Sequence, residues 1–174
     1  LQAETIDRPK HGNASWSLSL KNNSKIVALP LNENIRSKGF NIIMVDEFGF
    51  PHHKDMNEML EKVLAPMVFT KREGVDEDPT DIGNQIIISS TATFKWNDYY
   101  DKYVEYKEKM ENGDEDYDVI VYDFIDGLKG GKFENKTVLD EYRSADPITR
   151  KMEYLNIFPD DTNGFITYKL LDEK

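Results

Sequence analysis

The sequence contains no cysteine, no long hydrophobic run, and fewer basic than acidic residues. Without cysteine the chain forms neither disulfides nor thiolate metal sites, which fits a cytosolic protein. The balance of 33 acidic against 22 basic residues gives a net charge of −11. That charge argues against this chain being the main surface that grips a phosphate backbone. No stretch approaches the roughly 18–20 apolar residues of a membrane span, so we predict no membrane contact.

What is present is a globular composition, with 39% hydrophobic and 32% charged residues over a length of 174. That length is enough to bury a sizeable core. The chain begins with Leu1 rather than Met, and its first residues lack the apolar stretch of a signal peptide. We therefore expect it to be a piece of something longer.

The apolar pattern predicts alternating strands and helices. Residues 15–31 have the pattern of a β-hairpin around the turn "KNNS". The runs "FNIIMVDE", "QIIISSTAT" and "YDVIVYDF" predict three buried strands. Helices are predicted over 54–67, over 97–113 and in two short segments over 136–156. The second helix has a tyrosine stripe that indicates core packing, with a base-stacking surface as the alternative. This order predicts an α/β fold with a parallel sheet.

The first candidate site is the pair Asp46-Glu47, which ends the first apolar run. In an open parallel sheet, ligands bind just outside the carboxyl ends of the strands. Asp46 can hold a magnesium ion through its waters, and Glu47 can orient and deprotonate a water. This arrangement suits nucleotide hydrolysis. The alternative is that both carboxylates simply face solvent in a turn.

The second candidate site is the hydroxyl run Ser89, Ser90 and Thr91, which ends the second apolar run. In a parallel sheet these hydroxyls would share an edge with Asp46, where they can bond a phosphate, a water or the glutamate. The alternative is that they only satisfy a strand-to-helix turn. An Asp-Glu strand, a helix and a strand ending in Ser/Thr is the order found in several ATP-driven motors.

Arg36 lies in a loop before Asp46. A loop arginine can reach the phosphate of a neighbouring subunit and stabilise transition-state charge. The alternative is a surface or salt-bridged arginine.

No segment matches a loop that holds phosphates. The stretch "DGLKGGKF" has Asp126 where the motif needs Gly and Phe133 where it needs Ser or Thr, so we predict a flexible loop there. His52 and His53 lack metal-binding partners in the sequence, so we predict surface histidines.

Taken in order, these motifs resemble the large terminase subunit of tailed bacteriophages, an ATP-driven DNA-packaging motor. The stretch "NNSKIVALPLNENIRSKGFNIIMVDEFGF" looks like that family's hairpin, arginine loop and Walker B strand. The stretch "IIISSTATFKWNDYYDKYVEYKE" looks like its coupling motif and following helix. "YDVIVYDF" and "RKMEYLNIFPDDTNGF" look like the end of its ATPase region. The resemblance runs from about Ser15 to the end of the chain.

The resemblance implies a P-loop NTPase (RecA-like, ASCE) parallel-sheet core, partial here, with a small helical C-terminal subdomain. Residues 1–125 would be the C-terminal part of the ATPase core. Residues 126–174 would be a lid or linker subdomain leading toward a nuclease. By resemblance Asp46 holds Mg²⁺, Glu47 is the catalytic glutamate and Arg36 acts across subunits. Ser89, Ser90 and Thr91 would fall in the coupling motif, which links hydrolysis to movement.

The resemblance also implies ATP and Mg²⁺ as cofactors, and an ATPase active only as part of the full-length protein. The partners would be double-stranded DNA, the portal protein, the small terminase subunit and further copies in a ring. The location would be the host cytoplasm, with no membrane. DNA contacts would need local lysines such as Lys129, Lys132 and Lys136. The family's phosphate-binding loop and nuclease domain are absent from these residues, so we expect the chain alone to bind ATP poorly and hardly hydrolyse it.

Two other interpretations stay open. A DE-box helicase-like ATPase would carry the same carboxylate pair, although no helicase motif follows Thr93. A degenerate P-loop fold that only assembles with partners would keep the fold without catalysis.

Overall fold

The computed structural model of the chain describes residues 10–11, 15–31, 35–36, 38–50, 55–68, 83–131 and 136–160. It is a mixed α/β structure with two small open sheets, one antiparallel and one parallel. Its contacts divide the chain into two compact units, residues 1–42 with 58–85 and residues 43–57 with 86–174. Within the described ranges, no helix is long and apolar enough to cross a membrane.

The first unit contains a three-stranded antiparallel sheet of β1 (Lys10–His11), β2 (Trp16–Ser19) and β3 (Lys25–Ala28). The predicted hairpin is confirmed, because β2 pairs with β3 from Trp16 opposite Ala28 to Ser19 opposite Lys25. Its turn contains Asn23 at φ 67°, a left-handed conformation that asparagine tolerates. β1 was not predicted, since a strand of two residues is too short to show an apolar alternation.

A helix with one buried face begins with α1 (Met56–Met59), widens into a π-helical turn (Leu60–Leu64) and ends as α2 (Ala65–Met67). The predicted apolar face is confirmed, because its members are at most 5% exposed: Met56, Met59, Leu60, Val63 and Leu64. Pro66 has no N–H to donate, and its ring clashes with the preceding turn of a regular helix. The helix therefore widens just before Pro66 and ends one residue after it.

The parallel sheet consists of β4 (Ile42–Val45) and β5 (Gln85–Ile88). Val45 is buried, but Ile42 is 50% and Met44 is 65% exposed. The expectation of a continuous buried strand in mid-sheet is therefore wrong for β4. In the described part of the chain the sheet has two strands, and the exposure of Ile42 and Met44 shows that one face of β4 is uncovered.

The third predicted strand, over 117–124, is also wrong. Residues 117–123 have no regular secondary structure and pair with no strand among the described residues, and Ile120 and Tyr122 are 66% and 72% exposed. An apolar run becomes a strand only where a neighbour receives its backbone hydrogen bonds.

Helix α3 (Asp98–Glu111) begins as predicted, because the Asn97 side chain accepts a hydrogen bond from the Tyr100 N–H at 3.1 Å. Tyr99 and Tyr103 of the predicted stripe pack against Phe158, as Tyr100 also does, but no residue of α3 is fully buried, so the stripe is only partly in the core. The Phe158 ring lies 5.6 Å from that of Tyr99 and 5.0 Å from those of Tyr100 and Tyr103. The helix is thus anchored to the segment that follows the last helical turn.

Among its described residues the second unit also contains three short helices: α4 (Phe124–Lys129), α5 (Lys136–Ser144) and α6 (Pro147–Thr149), which runs into a π-helical turn (Arg150–Tyr154). The flexible loop predicted from Asp126 onward is wrong over 126–129. Asp123 and Asp126 form a capping box that starts α4.

An aromatic cluster of Phe124, Tyr142 and Tyr154 joins α4, α5 and the π-helical turn, with ring centroids 4.8–5.8 Å apart. Arg150 adds to this packing by donating to the backbone oxygens of Tyr142, Arg143 and Ala145 at the end of α5. These contacts fix the helical wall beside the candidate site.

Some predictions fall outside the described residues: those for His52, His53, Lys132 and Phe133. The domain boundary between residues 125 and 126 stays a prediction.

Candidate active site

The carboxyl ends of β4 and β5 bring Asp46 and Ser89 together. The parallel ladder continues past β5, where the Ser89 N–H donates to the Val45 oxygen at 2.9 Å. The side chain of Ser89 also reaches across, because its hydroxyl donates to Oδ1 of Asp46, the residue after Val45, at 2.8 Å. The two strand ends singled out from the sequence therefore meet through a direct side-chain bond.

Glu47 follows in a left-handed conformation, with φ 56°. This conformation costs a non-glycine residue on the order of 1 kcal/mol. The Glu47 N–H donates to Asp46 Oδ1 at 3.1 Å, and the Glu47 oxygen accepts from the Phe50 N–H at 3.0 Å. Asp46 Oδ1 thus orients both Glu47 and Ser89, while the neighbouring Phe48 ring is buried beneath the turn.

Gly49 connects this turn to the segment that follows β5. Its N–H donates to Ser90 Oγ at 3.0 Å, and its oxygen accepts from the Asn97 side chain at 3.3 Å. The sequence reasoning missed this contact, although a glycine two residues after Glu47 is a signal for a close backbone approach.

The segment 89–97 is held along its length by buried groups. The Tyr99 hydroxyl donates to the Ser90 oxygen at 3.0 Å, and burial raises the pKa of Tyr99 above its ordinary value of 10.0. Tyr99 therefore remains a protonated donor at neutral pH. Thr93, which is 6% exposed, accepts a hydrogen bond from the Asn97 side chain. Further along, the Phe94 and Trp96 rings stack with centroids 5.7 Å apart, and Trp96 is 57% exposed.

A pocket of about 540 Å³ opens at this edge. Its walls carry four carboxylates, three hydroxyl residues and three aromatic rings: Asp46, Glu47, Asp123, Glu153, Ser89, Ser90, Thr91, Tyr122, Phe124 and Tyr154. Among the described residues that line it there is no lysine or arginine. The pocket therefore favours cations and repels bare phosphates.

The described residues contain no group of three or more histidines, cysteines or carboxylates that could hold a metal ion. Asp46 and Ser89 are oxygen donors of the kind Mg²⁺ prefers, and Mg²⁺ is commonly held by one or two carboxylates with waters and substrate phosphates. The donor set therefore fits a magnesium ion that nucleotide phosphates help to bind. It does not fit a cage made by the protein alone.

Arg36 belongs to the first unit, where it is exposed and follows the buried Ile35. Asp46, Glu47 and Ser89–Thr91 belong to the second unit. The role of Arg36 stays a prediction.

Asp123, Glu153 and Asn156 are residues of the pocket that the sequence reasoning missed. Asp123 ends the segment wrongly predicted as a strand, which could have marked it as a third strand end. Glu153 and Asn156 lie in a helical turn and its exit, where nothing in the local pattern points to the edge of a sheet.

No protein-family model matches the sequence, and no curated protein or solved structure matches it. The chemistry of the pocket is therefore the basis on which a function is proposed.

Proposed function

We propose that this chain is part of the ATPase of a viral DNA-packaging terminase, in which ATP hydrolysis drives DNA into a capsid. The observation that carries the proposal is the hydrogen bond from Ser89 to Asp46 at the shared carboxyl edge of two parallel strands, with Glu47 next along the chain. In the proposal β4 and β5 belong to a RecA-like P-loop NTPase core. Helices α4 to α6 are its small C-terminal subdomain.

The bond between Asp46 and Ser89 supplies a route for coupling. Asp46 would orient the water ligands of Mg²⁺, and Glu47 would take a proton from the attacking water. Because Asp46 Oδ1 also accepts from Ser89, a change in the ion at Asp46 changes the bond that positions the segment leading to α3. Movement of α3 would then follow hydrolysis.

The charge of the pocket supports a site completed by cations from elsewhere. Its four carboxylates repel phosphates unless Mg²⁺ and further positive groups are present. No stretch of the sequence matches a phosphate-binding loop, so those groups come from outside these residues in the proposal. Arg36 of a neighbouring copy is one candidate. DNA, the portal protein, the small terminase subunit and the host cytoplasm enter the proposal through the sequence resemblance.

Manganese broadening tests the metal role of Asp46. Mn²⁺ replaces Mg²⁺ and broadens the NMR signals of nearby nuclei, so it detects weak binding. With Mn²⁺·ATPγS we expect the strongest broadening at residues 46–47 and 89–91. Asp46→Asn should remove it, and Asp101→Asn, an exposed carboxylate on α3 outside the pocket, should not. Equal broadening in Asp46→Asn and the parent chain would contradict the proposal.

The same preparations test whether the site needs groups from outside the chain. We expect ATP turnover by the chain to be no greater than by Glu47→Gln, because no loop holds the phosphates. Turnover that depends on Glu47 would overturn the need for groups from outside the chain.

A second candidate is a non-catalytic module whose acidic pocket binds a basic partner. The absence of lysine and arginine from the described pocket lining favours it. If the chain is such a module, Mn²⁺ would broaden the NMR signals of the pocket residues equally with and without ATPγS.

A further inference from the structure

Asn156 bridges two backbone segments with one side chain. Its Oδ1 accepts a hydrogen bond from the Ala92 N–H at 2.8 Å, and its Nδ2 donates to the Tyr122 oxygen at 3.3 Å. Its backbone is left-handed, with φ 49°. Asparagine is among the few residues that adopt this conformation readily.

The Ala92 N–H depends on this bond. Ala92 is fully buried, at 0% exposed, so its N–H relies on the Asn156 oxygen rather than on water while that side chain is present. Ala92 directly follows Thr91, so the bond fixes the end of the hydroxyl segment 89–91. The Tyr122 oxygen belongs to another part of the pocket lining, one residue before Asp123. The side-chain amide of Asn156 therefore connects two parts of the pocket lining.

The residues after Asn156 anchor its backbone. Phe158 packs among the tyrosines of α3, Pro159 is buried, and Asp160 forms an ion pair with Lys95. Lys95 itself follows the hydroxyl segment in the chain. Asn156 is thus held from its C-terminal side and does not simply follow the movements of Ala92.

We propose that Asn156 is a positioning residue, which holds Ser89, Ser90 and Thr91 at the pocket. Its part in hydrolysis rests on the proposed function, whereas its hold on Ala92 does not. It touches no reacting atom and acts through the backbone of Ala92.

Asn156→Gly tests the hold on Ala92, because glycine keeps the left-handed backbone and removes only the amide. We expect the Ala92 amide to exchange with solvent at least about tenfold faster, measured by NMR in the chain without ligand. Asn156→Asp keeps the acceptor for Ala92, so it should restore most of the protection. Asp146→Ala, which removes the cap of α6, should leave Ala92 exchange unchanged. Parent-like exchange at Ala92 in Asn156→Gly would overturn the proposal. Loss of protection in both Asn156→Asp and Asp146→Ala would do so too.

Mn²⁺·ATPγS then tests the positioning role. In Asn156→Gly we expect broadening at residues 89–91 to fall relative to that at 46–47, because Asp46 is intact while the hydroxyl segment is released. Asp146→Ala should keep the parent ratio, since a loss of stability alone does not move the segment. A parent ratio in Asn156→Gly would overturn the positioning role. Absence of broadening in the parent chain would instead overturn the proposed function. The exchange rate of the Ala92 amide would then still show whether Asn156 holds Ala92.

Discussion

At the scale of single residues, Gly49 shows how little space the site leaves. A Cβ added there would lie 2.9 Å from Ser90 Oγ, 3.0 Å from Thr93 Cγ2 and 3.2 Å from the Tyr99 ring. Thr93 and Tyr99 are held by hydrogen bonds of their own, so neither can move freely. Glycine is required here by contact rather than by backbone angle.

Gly49→Ala should therefore lower the free energy of unfolding by about 1–3 kcal/mol, the usual cost of overpacking. Urea denaturation followed by circular dichroism measures it. Ser90→Ala removes the nearest atom, so the double variant should lose less than the sum of the single variants. Strict additivity would show that the Ser90 hydroxyl does not meet the new methyl group.

At the scale of elements, Asp98 links the starts of two helices. It is the first residue of α3, and its Oδ2 accepts from the N–H groups of Met56 and Asn57 at 2.8 and 3.2 Å. These N–H groups begin α1 and have no acceptor within their own helix. A single carboxylate thus supplies the N-terminal cap of α1 from a distant part of the sequence.

Asp98→Ala should lower the free energy of unfolding by about 1–2 kcal/mol, as the loss of a helix cap usually does. Asp98→Asn keeps an acceptor oxygen and should lose less. Thermal unfolding of the parent chain and the two variants gives their order of stability. A loss in Asp98→Asn equal to that in Asp98→Ala would show that charge, rather than hydrogen bonding, is what α1 needs.

The sequence predicted well those elements that are determined by residues close together in the chain. The buried face of α1 and α2 follows from helical spacing, and the start of α3 follows from Asn97. The meeting of Asp46 with Ser89 followed from one topological rule about parallel strands. The third strand was wrong because pairing depends on a neighbour, which the apolar run 117–123 does not reveal. Asn156 was missed because its partner Ala92 lies 64 residues away and neither residue carries a pattern.

At the scale of the whole molecule, the net charge of −11 makes stability depend on pH. Hydrogen bonds from Lys109 and then Lys102 hold the pKa of Glu105 below its ordinary value of 4.5. A bond from Lys95 holds the pKa of Asp160 below 3.8. A carboxylate whose pKa is lower in the folded state stabilises that state above its ordinary pKa, and this contribution is lost as pH falls through the folded value.

The urea midpoint should therefore fall as pH decreases from about 4.5 to below 3.8, the ordinary values for Glu105 and Asp160. Asp160 is exposed and Glu105 is partly exposed, so solvent screening keeps each effect small. Protonation also relieves repulsion within an acidic chain, which acts in the opposite direction. Glu105→Gln isolates the contribution of Glu105, because the urea midpoint of this variant should fall less over this pH range than that of the parent. Parallel pH curves for the two proteins would contradict the role of Glu105.

The chain has two tryptophans, and they fall in different units: Trp16 in β2 of the first and Trp96 just before α3 in the second. Each unit consequently carries its own fluorophore. In Trp16→Phe the emission comes only from the second unit, and in Trp96→Phe only from the first. Comparing the two denaturation curves asks whether both units unfold in one cooperative step. Because Trp96 is 57% exposed and stacks on Phe94 in the segment that continues from the hydroxyl residues, its emission also gives an optical signal for events at the pocket.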